Sequence, residues 1–196
     1  MNLKNINQKQ LEIFNVELKI KKLELDILKD LDFEMFLPIE GYENYFISNF
    51  GNVKISKTNK IMKPSTNRQG YKRINLSKNE KLKTFRVHRL VGNAFLENPD
   101  NKQMIDHIDE NKANNNVKNL RWATRKDNGY NRGKQTNNTS GFKGVSFNKH
   151  TKKFESKISI NGKLKHLGLF ETAEEASKVY EAKAKVIHGE FYYKNK

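Results

Sequence analysis

Apolar residues recur at helical spacing near the start of the chain. Within residues 8–30, Ile13, Val16, Ile20 and Leu23 follow one another at intervals of three and four, which predicts a helix with a broad apolar face. The stripe is short for a coiled coil, so two interpretations stay open. Either the helix packs on its own domain, or it forms a short coiled coil that makes the protein a homodimer.

The pattern then changes to β-rich runs that are separated by turn residues. Clusters with Asn and Gly at 49–52 and 67–70, and one with Asn at 78–81, predict turns between the runs. Residues 34–85 are therefore predicted to form antiparallel strands. The apolar positions within 87–95 share one face and predict a short helix.

A strand, a polar loop, a second strand and a helix are predicted next. The first strand ends in Asp106-His107, the second covers Leu120 to Thr124, and the helix begins near Asp127-Asn128. Neighbouring strand residues point to opposite faces, so Asp106 and His107 serve one site only if the strand ends or twists there. The polar residues 109–112 supply that end, and a carboxylate, an imidazole and an amide oxygen can then surround one metal ion.

The last part of the chain forms a separate module in this interpretation. Residues 131–140 contain no aliphatic or aromatic side chain, which predicts a linker. Strands are predicted at 142–147, 154–160 and 163–170, with an Asn-Gly hairpin turn between the last two and a helix from Thr172 to His188. The fold class is α+β, and the predicted divisions are an N-terminal helix (1–33), a β-rich motif (34–85), a ββα core (86–132), a linker (133–140) and a small three-stranded-sheet-and-helix domain (141–196).

Composition narrows the function classes. The net charge is +16 and the pI is about 9.8, so nucleic acid is the favoured partner, and residues 1–33 do not contribute to this excess. The chain has no cysteine, which excludes a disulfide framework and a Cys-ligated zinc site. No apolar run approaches the roughly 20 residues that span a bilayer, so no membrane partner is expected.

The motifs resemble those of a known nuclease family. Val87 to Val91, Asp106-His107-x-Asp109, Asn119 to Thr124 and Asp127-Asn128 occur in the order found in HNH homing endonucleases of phages and large DNA viruses, which have a ββα-metal core. In addition, Pro38 to Val53 resembles a small DNA-binding motif often fused to phage nucleases. A plain antiparallel sheet that packs on the core is the alternative for that segment.

This resemblance implies roles for individual residues. Asp106 and Asn128 would hold one divalent cation, Mg²⁺ by abundance, although Mn²⁺ suits the same ligands. His107 would be the general base, since histidine has an ordinary pKa of about 6.5. Asn119 is expected to orient His107 or the loop. Four basic residues flank the site and are candidates for phosphate contacts: Arg121, Arg125, Lys126 and Arg132.

The C-terminal module resembles the APETALA2/ethylene-responsive-factor DNA-binding domain. The matching residues are Ser140 to Val145, Gly162-Lys163, Leu167 to Phe170 and Thr172 to Ala176. The resemblance implies a sheet that lies in the major groove. The candidate contacts on that sheet are Lys143, Ser146, Lys153, Glu155, Lys157, Lys163 and Lys165. Lysines predominate among them, so modest sequence discrimination is expected.

The sequence therefore predicts a metal-dependent homing endonuclease that hydrolyses phosphodiester bonds of double-stranded DNA. A sequence-tolerant DNA-binding regulator with an inactive HNH centre is the main alternative, and a protein that compacts DNA is a third. We expect a soluble, intracellular protein, in the cytoplasm of a bacterium or a virus-infected host cell or in the host nucleus.

Overall fold

The N-terminal helix is described only in part. The computed structural model describes residues 10, 12–17, 19, 20, 23 and 33–193, and the rest of the helix predicted at 8–30 lies outside the described residues. Those described before residue 24 are helical, as predicted. Ile13, Val16, Ile20 and Leu23 are each between 51% and 62% exposed. Packing of this helix on its own domain therefore gains no support from the described residues, and the homodimer stays a prediction.

Twelve strands and three helices are described from residue 33 onwards, with two short 3₁₀ segments. They are β1 (Phe36–Ile39), β2 (Tyr42–Ser48), β3 (Val53–Ile55), β4 (Ile61–Met62), β5 (Ser65–Thr66), β6 (Lys72–Lys78), β7 (Lys81–Arg86), α1 (Val87–Phe95), β8 (Met104–His107), the 3₁₀ segment Val117–Asn119, β9 (Leu120–Ala123), α2 (Arg125–Asn131), β10 (Val145–Asn148), β11 (Lys153–Ile160), β12 (Lys163–Phe170), α3 (Ala173–His188) and the 3₁₀ segment Gly189–Phe191. Among these described residues, no helix is long and apolar enough to cross a membrane.

The chain folds into two compact units. The first contains the residues up to 101 and the segment 111–122, and the second contains 102–110 and 123–196. Strand β8 and helix α2 belong to the same unit as the C-terminal module. The domain boundaries given by the sequence stay a prediction.

From residue 33 onwards, the described part of the first unit contains two antiparallel sheets and the helix α1. The sheets have the strand orders β1-β2-β3-β4 and β5-β6-β7, and α1 packs against strands of both. The core of this unit includes Ile47, Leu76, Val91 and Phe95, none of which has measurable exposure. The helix predicted at 87–95 and the turn predicted at 78–81 are confirmed.

The second unit contains an antiparallel sheet of order β10-β11-β12, covered by α3. The predicted hairpin is confirmed, because Asn161 and Gly162 have φ angles of +51° and +79° between the paired residues Ile160 and Lys163. Positive φ at both turn positions matches the twist of the flanking strands. The capping box of Thr172 and Glu175 at the start of α3 is also confirmed.

The first strand of this sheet begins later than predicted. A strand was expected at 142–147, but β10 begins at Val145. Val145 N donates to the Phe142 carbonyl at 3.4 Å, which closes a turn, and Gly144 lies in the left-handed region with φ +76°. Residues 142–144 therefore turn the chain into the sheet.

The predicted linker takes part in this turn. Ser140 Oγ donates to the Val145 carbonyl at 2.8 Å, and Asn138 Nδ2 donates to the Phe142 carbonyl at 2.8 Å. These bonds satisfy backbone acceptors of the module, as side chains do in many loops. The end of the predicted linker is thus hydrogen-bonded to the module.

Gly144→Ala is expected to destabilise the second unit strongly. A Cβ at this position would overlap the ring of the buried Tyr180 and lie 2.9 Å from the Lys157 carbonyl oxygen, at a positive φ. We expect a loss of about 2–5 kcal/mol in the free energy of unfolding, measured by urea denaturation. Gly141→Ala is the matched control: it also has positive φ (+84°) but meets no atom within 4 Å, so it should lose only about 1–2 kcal/mol. Equal losses would contradict the close packing at Gly144.

Candidate active site

Strand β8 ends at the two residues that carry the predicted chemistry. Asp106 and His107 are both 5% exposed and are the last two residues of the strand. Glu110 N donates to the His107 carbonyl at 3.0 Å, and Glu110 itself has φ +65°. A tight turn therefore follows His107 at once. This is the strand end that the sequence predicted at 109–112.

Helix α2 is joined to this strand end by a buried hydrogen bond. Asn131, at the end of α2, is 6% exposed, and its Nδ2 donates to the same His107 carbonyl at 2.8 Å. The carbonyl thus accepts two bonds, one for each lone pair. Sequence reasoning missed Asn131. The available signal was its spacing of three residues from Asn128, which is typical of neighbours on one side of a helix.

The start of α2 is also defined by side-chain bonds. Thr124 and Asp127 form a reciprocal capping box, with Asp127 Oδ2 accepting from Thr124 N at 2.9 Å. The capping box places Asn128 in the first turn of a helix with a defined start. Asn128 is half-buried there.

Asp106 and Asn128 offer a donor set that suits a hard divalent ion. Both residues lie in the second unit, on β8 and α2, which contact each other. One carboxylate and one amide oxygen are hard ligands, and Mg²⁺ keeps several waters or phosphate oxygens when it has few protein ligands. Among the described residues, no group of three or more His, Cys, Asp or Glu could hold a metal. A metal at this position would therefore be held by no more than these two protein side chains among the described residues.

Asn119 lies in the first unit, whereas Asp106 and Asn128 lie in the second. It is 8% exposed, and its Nδ2 donates to the Asn114 carbonyl at 2.9 Å. The orientation of His107 or of the loop by Asn119 stays a prediction. Arg121 also belongs to the first unit and is half-buried.

Two predicted phosphate contacts are engaged within the second unit. Lys143 Nζ donates to the carbonyl oxygens of Tyr130 and Arg132, at 2.6 Å each. Lys126 Nζ donates to Asn161 Oδ1 at 2.8 Å. Burial lowers the pKa of Lys143 to about 8, opposed by the nearby Glu110 carboxylate. The ammonium group of Lys143 is thus directed to α2, whereas Arg125 and Arg132 are exposed.

The candidate DNA contacts on the sheet are divided between its two faces. Ile158 is buried against α3 and pairs with Lys165, and two positions further along the strand Ile160 pairs with Lys163. Directly opposite residues point to the same face, so Lys163 and Lys165 lie on the side of the sheet that α3 covers. The outer face of the sheet, on the side away from α3, carries Ser146, Lys153, Glu155 and Lys157, as alternation along the strands and the pairing register show. It also carries two residues that sequence reasoning missed, Leu164 and His166.

The outer face carries charges of both signs. Glu155 is paired with Lys157 at 2.7 Å and with His166 at 3.3 Å, and Lys153 is paired with Glu171 at 2.6 Å. The Lys153–Glu171 pair is exposed, so it contributes little to stability and can be replaced by other charged groups. The Glu155 side chain, by contrast, is only 15% exposed.

Each unit also has a basic groove. In the second unit, a groove of about 520 Å³ is lined by four cations, Arg132, Lys134, Lys143 and Lys157, and by no carboxylate. In the first unit, a groove of about 590 Å³ is lined by Lys83, Arg86 and Arg89 with a single carboxylate, that of Glu40. The positive potential of both grooves favours a polyanion.

Comparison with known proteins identifies two of the predicted segments. Residues 85–130 match the family model of the HNH endonucleases, and residues 34–77 match that of the NUMOD4 motif. The chain belongs to the HNH endonuclease family, which is a family of nucleases. Within that family, it is of the type in which a NUMOD4 motif precedes the HNH segment. The resemblances stated for these two segments are confirmed, and the APETALA2-like resemblance stays a prediction.

Individual relatives come from phages and a giant virus. DNA endonuclease I-HmuI of Bacillus phage SP01 is 46% identical over 91 residues, covering 46% of this chain and 52% of that protein. HNH endonuclease L245 of Acanthamoeba polyphaga mimivirus is 42% identical over 92 residues, covering 47% and 28%. Protein 3.8 of Escherichia phage T7 is 33% identical over 87 residues, covering 44% and 71%. The chain thus spans about half or less of the first two relatives.

A solved structure of the homing endonuclease I-HmuI, described as showing DNA binding and cleavage, also resembles part of the chain. It is 45% identical and covers 50% of this chain and 56% of its own, with a TM-score of 0.47.

Asn131→Ala is expected to weaken the attachment of α2 to β8. The substitution removes a buried hydrogen bond and leaves space, so we expect a loss of about 1–3 kcal/mol in the free energy of unfolding, measured by urea denaturation. Asn137→Ala, at an exposed position a short distance along the chain, is the matched control and should change stability by less than about 0.5 kcal/mol. A negligible effect of Asn131→Ala would show that the bond does not stabilise the unit.

Stability is expected to fall in mild acid because of His188. Its ring stacks on Tyr130 with centroids 3.7 Å apart, and burial, followed by the charge of Lys143, lowers the pKa of His188 below its ordinary 6.5. The unfolded chain then binds more protons below pH 6.5, so the free energy of unfolding decreases as the pH falls from there. His188→Phe keeps a stacking ring but cannot be protonated. Urea unfolding at about pH 7.5 and about pH 5.5 should show a smaller loss for this variant than for the wild type; equal losses would contradict the assignment.

Proposed function

We propose that the protein is a metal-dependent DNA endonuclease of the homing type, which hydrolyses phosphodiester bonds of double-stranded DNA. The observation that carries this proposal is the position of Asp106 and His107 at the end of β8 inside a matched HNH segment, with α2 joined to the same strand end through Asn131. The matched HNH segment is taken as the ββα-metal core. The similarity to I-HmuI supports both the DNA substrate and the homing type.

His107 acts as the general base in this proposal. Hydrolysis needs a water whose proton is removed as its oxygen attacks phosphorus, and a neutral imidazole performs this near neutral pH. The bonds from Glu110 and Asn131 to the His107 carbonyl fix the backbone from which the imidazole projects. Asn119 keeps the preceding loop in place through its bond to Asn114. A fixed base matters because a small misplacement at a reacting centre reduces the rate strongly.

Asp106 and Asn128 would hold one divalent cation, either Mg²⁺ or Mn²⁺. Such an ion, when bound, neutralises charge on the phosphoryl group and on the leaving oxygen. Asp106 contributes the negative charge, and Asn128 contributes a neutral oxygen from the first turn of α2. Their attachment to two different elements makes the site depend on the packing of α2 against β8.

DNA is held by the basic surfaces of both units. In the second unit, α2 and the residues just after it carry Arg125, Arg132 and Lys134, and the outer face of the sheet adds Lys153 and Lys157. In the first unit, the groove of Lys83, Arg86 and Arg89 belongs to the NUMOD4 motif and the adjacent helix. Contacts between lysine or arginine and phosphate make the affinity fall as the salt concentration rises.

A nicking assay tests the chemistry. Supercoiled plasmids that carry tiled DNA of the source genome are incubated with wild-type protein or His107→Ala, in EDTA, Mg²⁺ or Mn²⁺. We expect metal-dependent nicking by the wild type and a rate lower by a factor of about 10²–10⁴ for His107→Ala, with unchanged DNA affinity because the phosphate contacts remain.

Other results would select another function. Salt-sensitive binding by both proteins without nicking of any tile would favour the regulator with an inactive centre. Nicking that persists in His107→Ala would reject His107 as the base. Lys178→Met, which removes an exposed positive charge on α3, is the control variant and should nick DNA like the wild type.

A further inference from the structure

Helix α2 has seven residues, and its last turn contains no basic side chain; Arg132 follows at the C-cap and is exposed. The last carbonyl groups of a helix have no partner within the helix, and the helix dipole concentrates negative partial charge there. A helix this short gains little stability from its own hydrogen bonds. Its position therefore depends on groups outside it.

Lys143, from the C-terminal module, places an ammonium group at this end of α2. Lys143 Nζ lies 2.6 Å from the carbonyl oxygen of Tyr130, inside the last turn, and 2.6 Å from that of Arg132, at the C-cap. Both are short, charge-assisted hydrogen bonds. A cation at this end also interacts favourably with the helix dipole. Lys143 is half-buried, and the Glu110 carboxylate after β8 favours its charged form.

Two further contacts join the same module to α2. The His188 ring, at the end of α3, stacks on the Tyr130 ring with an interplanar angle of 9°. At the other end of α2, Lys126 Nζ bonds to Asn161 in the β11–β12 turn. Both ends of the helix are thus held by residues of the module. This explains why α2 and the module belong to one compact unit.

We propose that Lys143 is a positioning residue for the nuclease centre. It fixes the C-terminal end of α2, from which Asn131 reaches the His107 carbonyl, and thereby sets where Asn128 stands relative to Asp106. The inference rests on the proposed function, because it takes Asn128 as a metal ligand. The module is then a part of the framework of the nuclease centre, in addition to any contact that it makes with DNA.

The test compares Lys143→Met with Lys178→Met in the full chain. Both substitutions remove one ammonium group and keep an unbranched side chain, but Lys178 is exposed on α3. Three quantities are measured: hydrogen exchange of the α2 amides in metal-free protein, the Mg²⁺ concentration at half-maximal nicking, and the dependence of DNA affinity on salt. The first needs neither metal nor activity.

Lys143→Met is expected to accelerate exchange in α2 by about tenfold or more, because the end of the helix opens more often. The Mg²⁺ concentration for half-maximal nicking should rise, and the nicking rate at saturating Mg²⁺ should fall less. The salt dependence of DNA binding should equal that of Lys178→Met. Lys143→Arg, which keeps the charge and the donors, should recover part of the exchange protection.

Unchanged exchange in α2 would overturn the proposal. So would a DNA affinity whose salt dependence is weaker by about one unit than that of Lys178→Met, with normal Mg²⁺ dependence, since this marks a phosphate contact. If circular dichroism shows that Lys143→Met does not fold, Lys143→Gln decides by the same exchange criterion. If the wild type nicks no DNA, the proposed function fails, whereas the exchange measurement still decides the role of Lys143.

Discussion

The backbone carbonyl of His107 is the acceptor on which the candidate site depends. It is buried with its strand, and a buried carbonyl must find donors. Two are present: the Glu110 amide, which ends the strand, and the Asn131 side chain, which brings the helix to it. One atom thus fixes both the turn after His107, the proposed general base, and the helix that carries Asn128. The chemistry of the site follows from how this single acceptor is satisfied.

Helix α2, which carries the proposed metal ligand Asn128, is short, and its stability depends on residues outside it. Its start is defined locally by Thr124 and Asp127, but its end is held by Lys143 and by the stacked ring of His188. An amide oxygen is a weak ligand unless it is already well placed, so such external support bears directly on whether Asn128 can bind an ion. This is a reason for the nuclease core and the C-terminal module to form one unit.

The features that the sequence predicted correctly depend on residues that are close together along the chain. The Asn161-Gly162 turn, the Thr172 capping box and the apolar face of α1 each involve neighbouring residues, and each is found where it was expected. The order of strand, loop, strand and helix around Asp106 also followed from the motif. By contrast, Asn131 and Lys143 act on carbonyl groups that are distant in sequence or carry no sequence signature. The side of the sheet on which Lys163 and Lys165 lie depends on a register shift between β11 and β12 at Ser156 and Lys157. Alternation along the sequence alone does not reveal this shift.

The segment between the HNH motif and the last module has a consequence for how such proteins can be recombined. Residues 133–140 have the composition of a joint at which one C-terminal module could be exchanged for another during evolution or by design. A crossover at this joint would replace Lys143 and His188, so the C-terminal end of α2 would lose both the hydrogen bonds from Lys143 and the stacking of His188 on Tyr130. A newly acquired module would need to bring its own cation and its own aromatic partner for Tyr130, which limits the modules that can follow this nuclease core.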